Sequence, residues 1–122
     1  MSESAPLDPA AMERLCRLGG KKFACEMIDL FLNYVGTKVA EARQAATAGD
    51  LSRLQKAVHP IKSSAGNVGA TRLQELAKRL ENEAYTGQAQ MAAASLNTLE
   101  QAFADARIEL TAAKEKLADP MA

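Results

Sequence analysis

The chain has 122 residues, with 15 lysines and arginines against 15 aspartates and glutamates, one histidine, two cysteines and no tryptophan. That length suits one domain around a single core. The balanced charge speaks against a nucleic-acid binder, which carries a basic excess, and few aromatics beside much alanine and leucine favour helices over strands.

Residues 1–7 read as a flexible lead with no apolar signal-peptide core. Asp8-Pro9 is a helix start, an aspartate cap with proline in the first turn. The short helix that follows carries Met12, Leu15 and Cys16 and ends at Gly19-Gly20. A long helix is predicted from about Lys21 to Ala48, with an inner face drawn from Phe23, Met27, Leu30, Phe31, Tyr34, Ala42 and Ala45. Its apolar residues outnumber what one face needs, which leaves Ile28, Leu32 and Val35 as an expected exposed patch for a partner.

Gly49 closes that helix and Asp50 caps the next, predicted over 51–66 with the stripe Leu51, Leu54, Val58, Ile61, Ala65, Val68. Pro60 stands inside it; proline removes a backbone donor and crowds the Lys56 carbonyl, so a kink or loosened turn is expected. Gly66-Asn67-Val68-Gly69 makes a reversal. A helix over 70–85 buries Leu73, Leu76, Ala77, Leu80 and Ala84, with Gln74, Lys78, Glu81 and Tyr85 as a polar strip beside that face. After Gly87, the last helix carries Ala92, Leu96, Leu99, Phe103, Ala106, Leu110, Ala113 and Leu117. The pattern predicts an all-α fold, an antiparallel up-down four-helix bundle with a short additional N-terminal helix. One domain spans 8–118 and residues 119–122 form a flexible end. The last helix could instead pair with another chain as a coiled coil.

Cys16 and Cys25 lack a metal-ligand spacing and one histidine cannot complete a zinc set, so no metal is expected on this chain. No run approaches the ~20 apolar residues of a membrane span. A cytoplasmic protein, bound neither to membrane nor to nucleic acid, is expected.

His59 is the only histidine. Counted around the helix it sits about 130° from the centre of the apolar stripe, and Lys62 about 70° from it. Ser63 and Gly66 share the outward side. The imidazole is thus offered to solvent or a partner, with an ammonium one turn along and little bulk to block approach.

The run Val58-His59-Pro60-Ile61-Lys62-Ser63-Ser64-Ala65-Gly66-Asn67-Val68-Gly69-Ala70 resembles the core pattern of the histidine-containing phosphotransfer (HPt) domain family of multistep phosphorelays. Gly49-Asp50 before it, Leu73, Leu76 and Leu80-Glu81 after it, and Phe23 to Phe31-Leu32 upstream extend the likeness over about residues 8–86. Pro60 and Ser63 depart from the usual pattern without removing a group the chemistry needs.

The resemblance implies that His59 accepts a phosphoryl group from an aspartyl-phosphate receiver domain and passes it to another. A neutral imidazole is a good nucleophile near pH 7, and Lys62 at i+3 can meet the charge that develops on the phosphoryl oxygens. By the same likeness Glu81 would hydrogen-bond the free imidazole nitrogen and fix its tautomer. The partners implied are receiver domains of response regulators or of a hybrid sensor histidine kinase. They would meet a surface around His59 that includes Lys56, Ser63 and Gly66, with Ile28, Leu32 and Val35. No cofactor is expected, Mg2+ belonging to the receiver. The chain reads as a monomeric phosphocarrier and not a self-sufficient enzyme, since no nucleotide-binding loop is present and no autokinase activity is expected. The competing reading is a non-catalytic helical module that sequesters a response regulator, with His59 vestigial. A start at Met1 reads as a free-standing module, a domain of a larger hybrid kinase being the alternative.

Overall fold

The computed structural model describes residues 7–118. Helix α1 (Pro9–Thr47) is followed by α2 (Leu51–Asn67), α3 (Thr71–Tyr85) and α4 (Ala89–Ala118), and the described residues contain no strand. Each helix packs on the next and α4 packs back on α1, which closes an up-down four-helix bundle.

The starts and stops follow from identifiable residues. Asp8 caps α1 by accepting from the Ala10 amide at 3.0 Å, and Asp50 caps α2 by accepting from the Arg53 amide at 3.0 Å. Gly20 interrupts α1 with φ +86°, so residues 9–19 form an arm and residues 21–47 the body. The expected short N-terminal helix is this arm, folded against the end of the bundle. Its root is clamped where the Asp8 amide donates to the Gly69 carbonyl at 2.7 Å. Gly69 has φ +76°, and a Cβ there would lie 2.6 Å from the Ala11 Cβ and 2.8 Å from the Asp8 carbonyl oxygen. Leu7, placed by its sequence in the N-terminal lead, is half-buried against the core; the rest of that lead and residues 119–122 lie outside the described residues.

The core contains Leu54, Val58, Ile61, Ala65 and Val68 of α2, and Leu73, Leu76, Ala77, Leu80 and Ala84 of α3. From α4 come Ala92, Leu96, Leu99, Phe103, Ala106 and Leu110, while Ala113 and Leu117 are half-buried. The apolar stripe of α4 is therefore consumed inside the bundle. Phe31 meets Phe103 across α1 and α4 with ring centroids 6.2 Å apart. Ion pairs Arg43–Glu100 and Lys114–Asp29 tie the same two helices at opposite ends.

The body of α1 is rotated from the sequence expectation. It buries Ala24, Ile28, Phe31, Val35, Val39, Ala42 and Ala45, whereas Leu30 is 60% and Tyr34 47% exposed. Two apolar stripes overlap in residues 23–35, about 100° apart. Only the stripe through Ile28 and Val35 stays in register with Val39, Ala42 and Ala45. Burying Tyr34 would also require a partner for its hydroxyl.

Helix α2 passes through Pro60 as one element. The missing amide does not end the helix, because Val58 and Ile61 on either side are fully buried and hold the backbone to the core.

Candidate functional site

His59 lies near the middle of α2 on the face away from the core, and its side chain is 65% exposed. Its Nδ1 is 2.6 Å from Oε2 of Glu81 on α3. A carboxylate only accepts, so the contact requires a proton on Nδ1 and leaves the neutral ring with its lone pair on Nε2. Nε2 has no hydrogen-bond partner among the described residues.

Glu81 is the centre of the cluster. Its side chain is 14% exposed, and its Oε1 is 2.5 Å from the Lys62 ammonium. Oε2 also accepts from the Gln55 amide at 3.1 Å. Burial pushes the Glu81 carboxyl up, but the hydrogen bonds from Lys62, Gln55 and His59, with the Lys62 charge, outweigh it and hold the group below the usual carboxylate range. The site thus presents an ionised carboxylate behind an exposed imidazole, with an ammonium one turn along α2. That arrangement suits attack by Nε2 on an electrophile that carries negative charge.

Of the other residues singled out in the sequence, Lys56 and Ser63 are exposed on the same side of α2 as His59. Gly66 is half-buried. Gln74 of α3 covers it, with Nε2 placed 2.6 Å from where a Cβ would stand, and donates to the Lys62 carbonyl at 3.1 Å. Ile28 and Val35 are fully buried and Leu32 is half-buried, so the apolar patch expected from them is elsewhere. It consists of Leu30 and Tyr34 with Met27 and Phe31, which together with Ser64, Asn67 and Val68 line a shallow apolar hollow of about 270 Å³ between α1 and α2. On the other flank of His59, Gln55, Lys78, Glu81 and Tyr85 line an open groove between α2 and α3.

Gln55 and Gln74 are the residues that sequence reasoning missed. Gln55 stands four before His59 on one stripe of α2, a spacing visible in the sequence, but its partner on α3 is set by how the helices cross. Gln74 belonged to the expected polar strip, without any sign that it would reach back to α2.

No group of histidine, cysteine and carboxylate side chains among the described residues is arranged to hold a metal ion. None of the described helices is long and apolar enough to cross a membrane.

Comparison with solved structures supports the same reading. Histidine-containing phosphotransfer protein B from Pseudomonas aeruginosa superimposes with a TM-score of 0.87 at 25% identity, covering 93% of this chain and 98% of that one. The X-ray structure of a putative histidine-containing phosphotransfer protein from rice gives 0.81 at 16% identity, over 94% of this chain and 86% of that one, a likeness of fold. No curated protein sequence matches. The Hpt domain family model matches residues 26–115, which includes both α2 and α3. Proteins of that family interact with receiver domains. With a histidine phosphotransfer role in phosphorelay signalling, the chain belongs to the Hpt domain family.

Proposed function

We propose that His59 is the phosphoacceptor and that transfer occurs on Nε2. The observation that carries this is the Nδ1 contact with Glu81, which leaves an unpartnered nitrogen on an exposed ring of the chain's only histidine. The Nε2 lone pair forms the N–P bond as the P–O bond to the receiver's aspartate breaks, and the electron pair leaves with that carboxylate. Nδ1 keeps its proton, so the ring becomes cationic opposite Glu81. The carboxylate therefore orients the nucleophile and stabilises the charge it gains. Lys62 supplies positive charge one turn from the ring, toward the phosphoryl oxygens. The reverse steps hand the group to a second receiver.

This chain contributes the nucleophile, the orienting carboxylate, one cation and a docking surface; the phosphorylated aspartate and its Mg2+ belong to the receiver. It acts as a phosphocarrier with no autokinase activity. The hollow at Leu30 and Tyr34 opens beside Ser64 and Asn67, five and eight residues along α2 from His59. It provides the apolar part of the docking surface, with Lys56 and Ser63 nearer the ring. A monomer accords with the burial of the α4 stripe.

The test is transfer from a ³²P-labelled phospho-receiver to the protein and to His59→Gln. Label that is acid-labile and base-stable on the parent and absent from His59→Gln supports the carrier. Receivers that bind without transferring label would support a silent sequestering module instead.

A further inference from the structure

Gln55, His59 and Lys62 occupy successive turns of α2 at steps of four and three, a spacing that stacks side chains on one stripe of a helix. All three end on the same carboxylate. Gln55 Nε2 reaches Glu81 Oε2 at 3.1 Å, His59 Nδ1 reaches the same oxygen at 2.6 Å, and Lys62 Nζ takes Oε1 at 2.5 Å.

These contacts differ in what they do to the carboxylate. A lysine ammonium is a point charge that satisfies either oxygen, and on its own would draw Glu81 toward the C-terminal side of the cluster. The Gln55 amide pulls from the N-terminal side. It donates to the oxygen that faces the imidazole, so the carboxylate plane is held from both ends with Oε2 on Nδ1. The amide orientation is dictated by the partner, because a carboxylate cannot donate to the glutamine oxygen. Gln55 itself is half-buried, and its contact with Glu81 is partly sheltered from water.

We propose that Gln55 is a positioning residue of the transfer reaction: its donation to Glu81 Oε2 keeps that oxygen on the His59 Nδ1–H and so keeps Nε2 as the nucleophilic nitrogen. The proposal rests on His59 as the acceptor. It makes residue 55 a determinant of the imidazole tautomer although it touches neither the ring nor the phosphoryl group. A hydrogen-bond donor is the group required there. A carboxylate at 55 would face Glu81 with like charge and drive it off the ring, whereas a cationic donor would still hold Oε2 in place.

The experiment records ¹⁵N shifts of the His59 ring in the unphosphorylated full-length protein, at a pH where the ring is neutral, beside single-turnover transfer from one phospho-receiver. The wild type is compared with Gln55→Ala, Gln55→Glu and Gln55→Lys, each first shown to be folded by its melting transition. The expected result is a dominant Nδ1–H tautomer in the wild type. Gln55→Ala shifts the ring toward the averaged pair of tautomers and slows transfer about fivefold to tenfold, the scale of one orienting hydrogen bond. Gln55→Glu does so more strongly, and Gln55→Lys restores the wild-type tautomer. An unchanged tautomer in both Gln55→Ala and Gln55→Glu would overturn the proposal, as would a shifted tautomer with an unchanged transfer rate. The tautomer is read without phosphate. A wild type that takes no label would therefore sink the acceptor reading separately, while the ring shifts still decide for or against Gln55.

Discussion

His59 and Glu81 meet at 2.6 Å across the α2–α3 interface, yet the imidazole is 65% exposed and the carboxylate 14%. The imidazole is thus open to solvent while the carboxylate that orders it is sheltered from water. A hydrogen bond to a charged group contributes more than one between neutral groups, and shelter strengthens it further.

The contacts made to Glu81 have a consequence in acid. The Glu81 carboxyl is held below its ordinary value of 4.5, burial being outweighed by Lys62, Gln55 and His59. A depressed carboxyl contributes stability that is fully present above its unfolded pKa and is lost as pH falls through the folded one. Denaturation followed from pH 6 to pH 2 is expected to show a fall in stability beginning near pH 4.5, with a smaller slope in Glu81→Gln.

Lys62 is tied to Glu81 in the free protein. Lys62→Ala is expected to slow single-turnover transfer by about 100-fold, the low end of what one stabilising group supplies to developing oxygen charge. Lys62→Arg keeps the charge and retains most of the rate. Stopped transfer assays at fixed receiver concentration measure both.

The proposed docking surface and the core use different faces of α1. Leu30→Asp and Tyr34→Ala alter exposed positions in the apolar hollow. They are expected to weaken receiver binding about tenfold by calorimetry with little change in melting temperature. Ile28→Ala, at a fully buried site, costs about 2–4 kcal/mol of stability instead.

Gly69→Ala should be among the more damaging small changes. It places a Cβ 2.6 Å from Ala11 at φ +76°, where the N-terminal arm is joined to the α2–α3 turn. A loss of about 2 kcal/mol is expected, with faster amide exchange across residues 9–19.

Most of this architecture was legible because the residues that decide it act locally. Asp8 and Asp50 cap by reaching two or three residues ahead, and the α2, α3 and α4 stripes each offer one apolar face. The α1 body offered two. Choosing between them depends on whether Val39, Ala42 and Ala45 continue the stripe, and on the neighbouring helices, which a single helical pattern does not contain. The same limit applies at the site. The outward placement of His59 and Lys62 is a property of α2 alone. The meeting of Gln55 with Glu81, and the cover that Gln74 gives Gly66, depend on the crossing of α2 and α3.

The central claim is that phosphate enters on Nε2 of His59 because Glu81 holds Nδ1. The direct measurement is ¹⁵N and ³¹P NMR of the ring-labelled protein after phosphorylation by a phospho-receiver. A ³¹P coupling to Nε2, with Nδ1 still protonated, is expected. Phosphate on Nδ1, or on a residue other than His59, would contradict it.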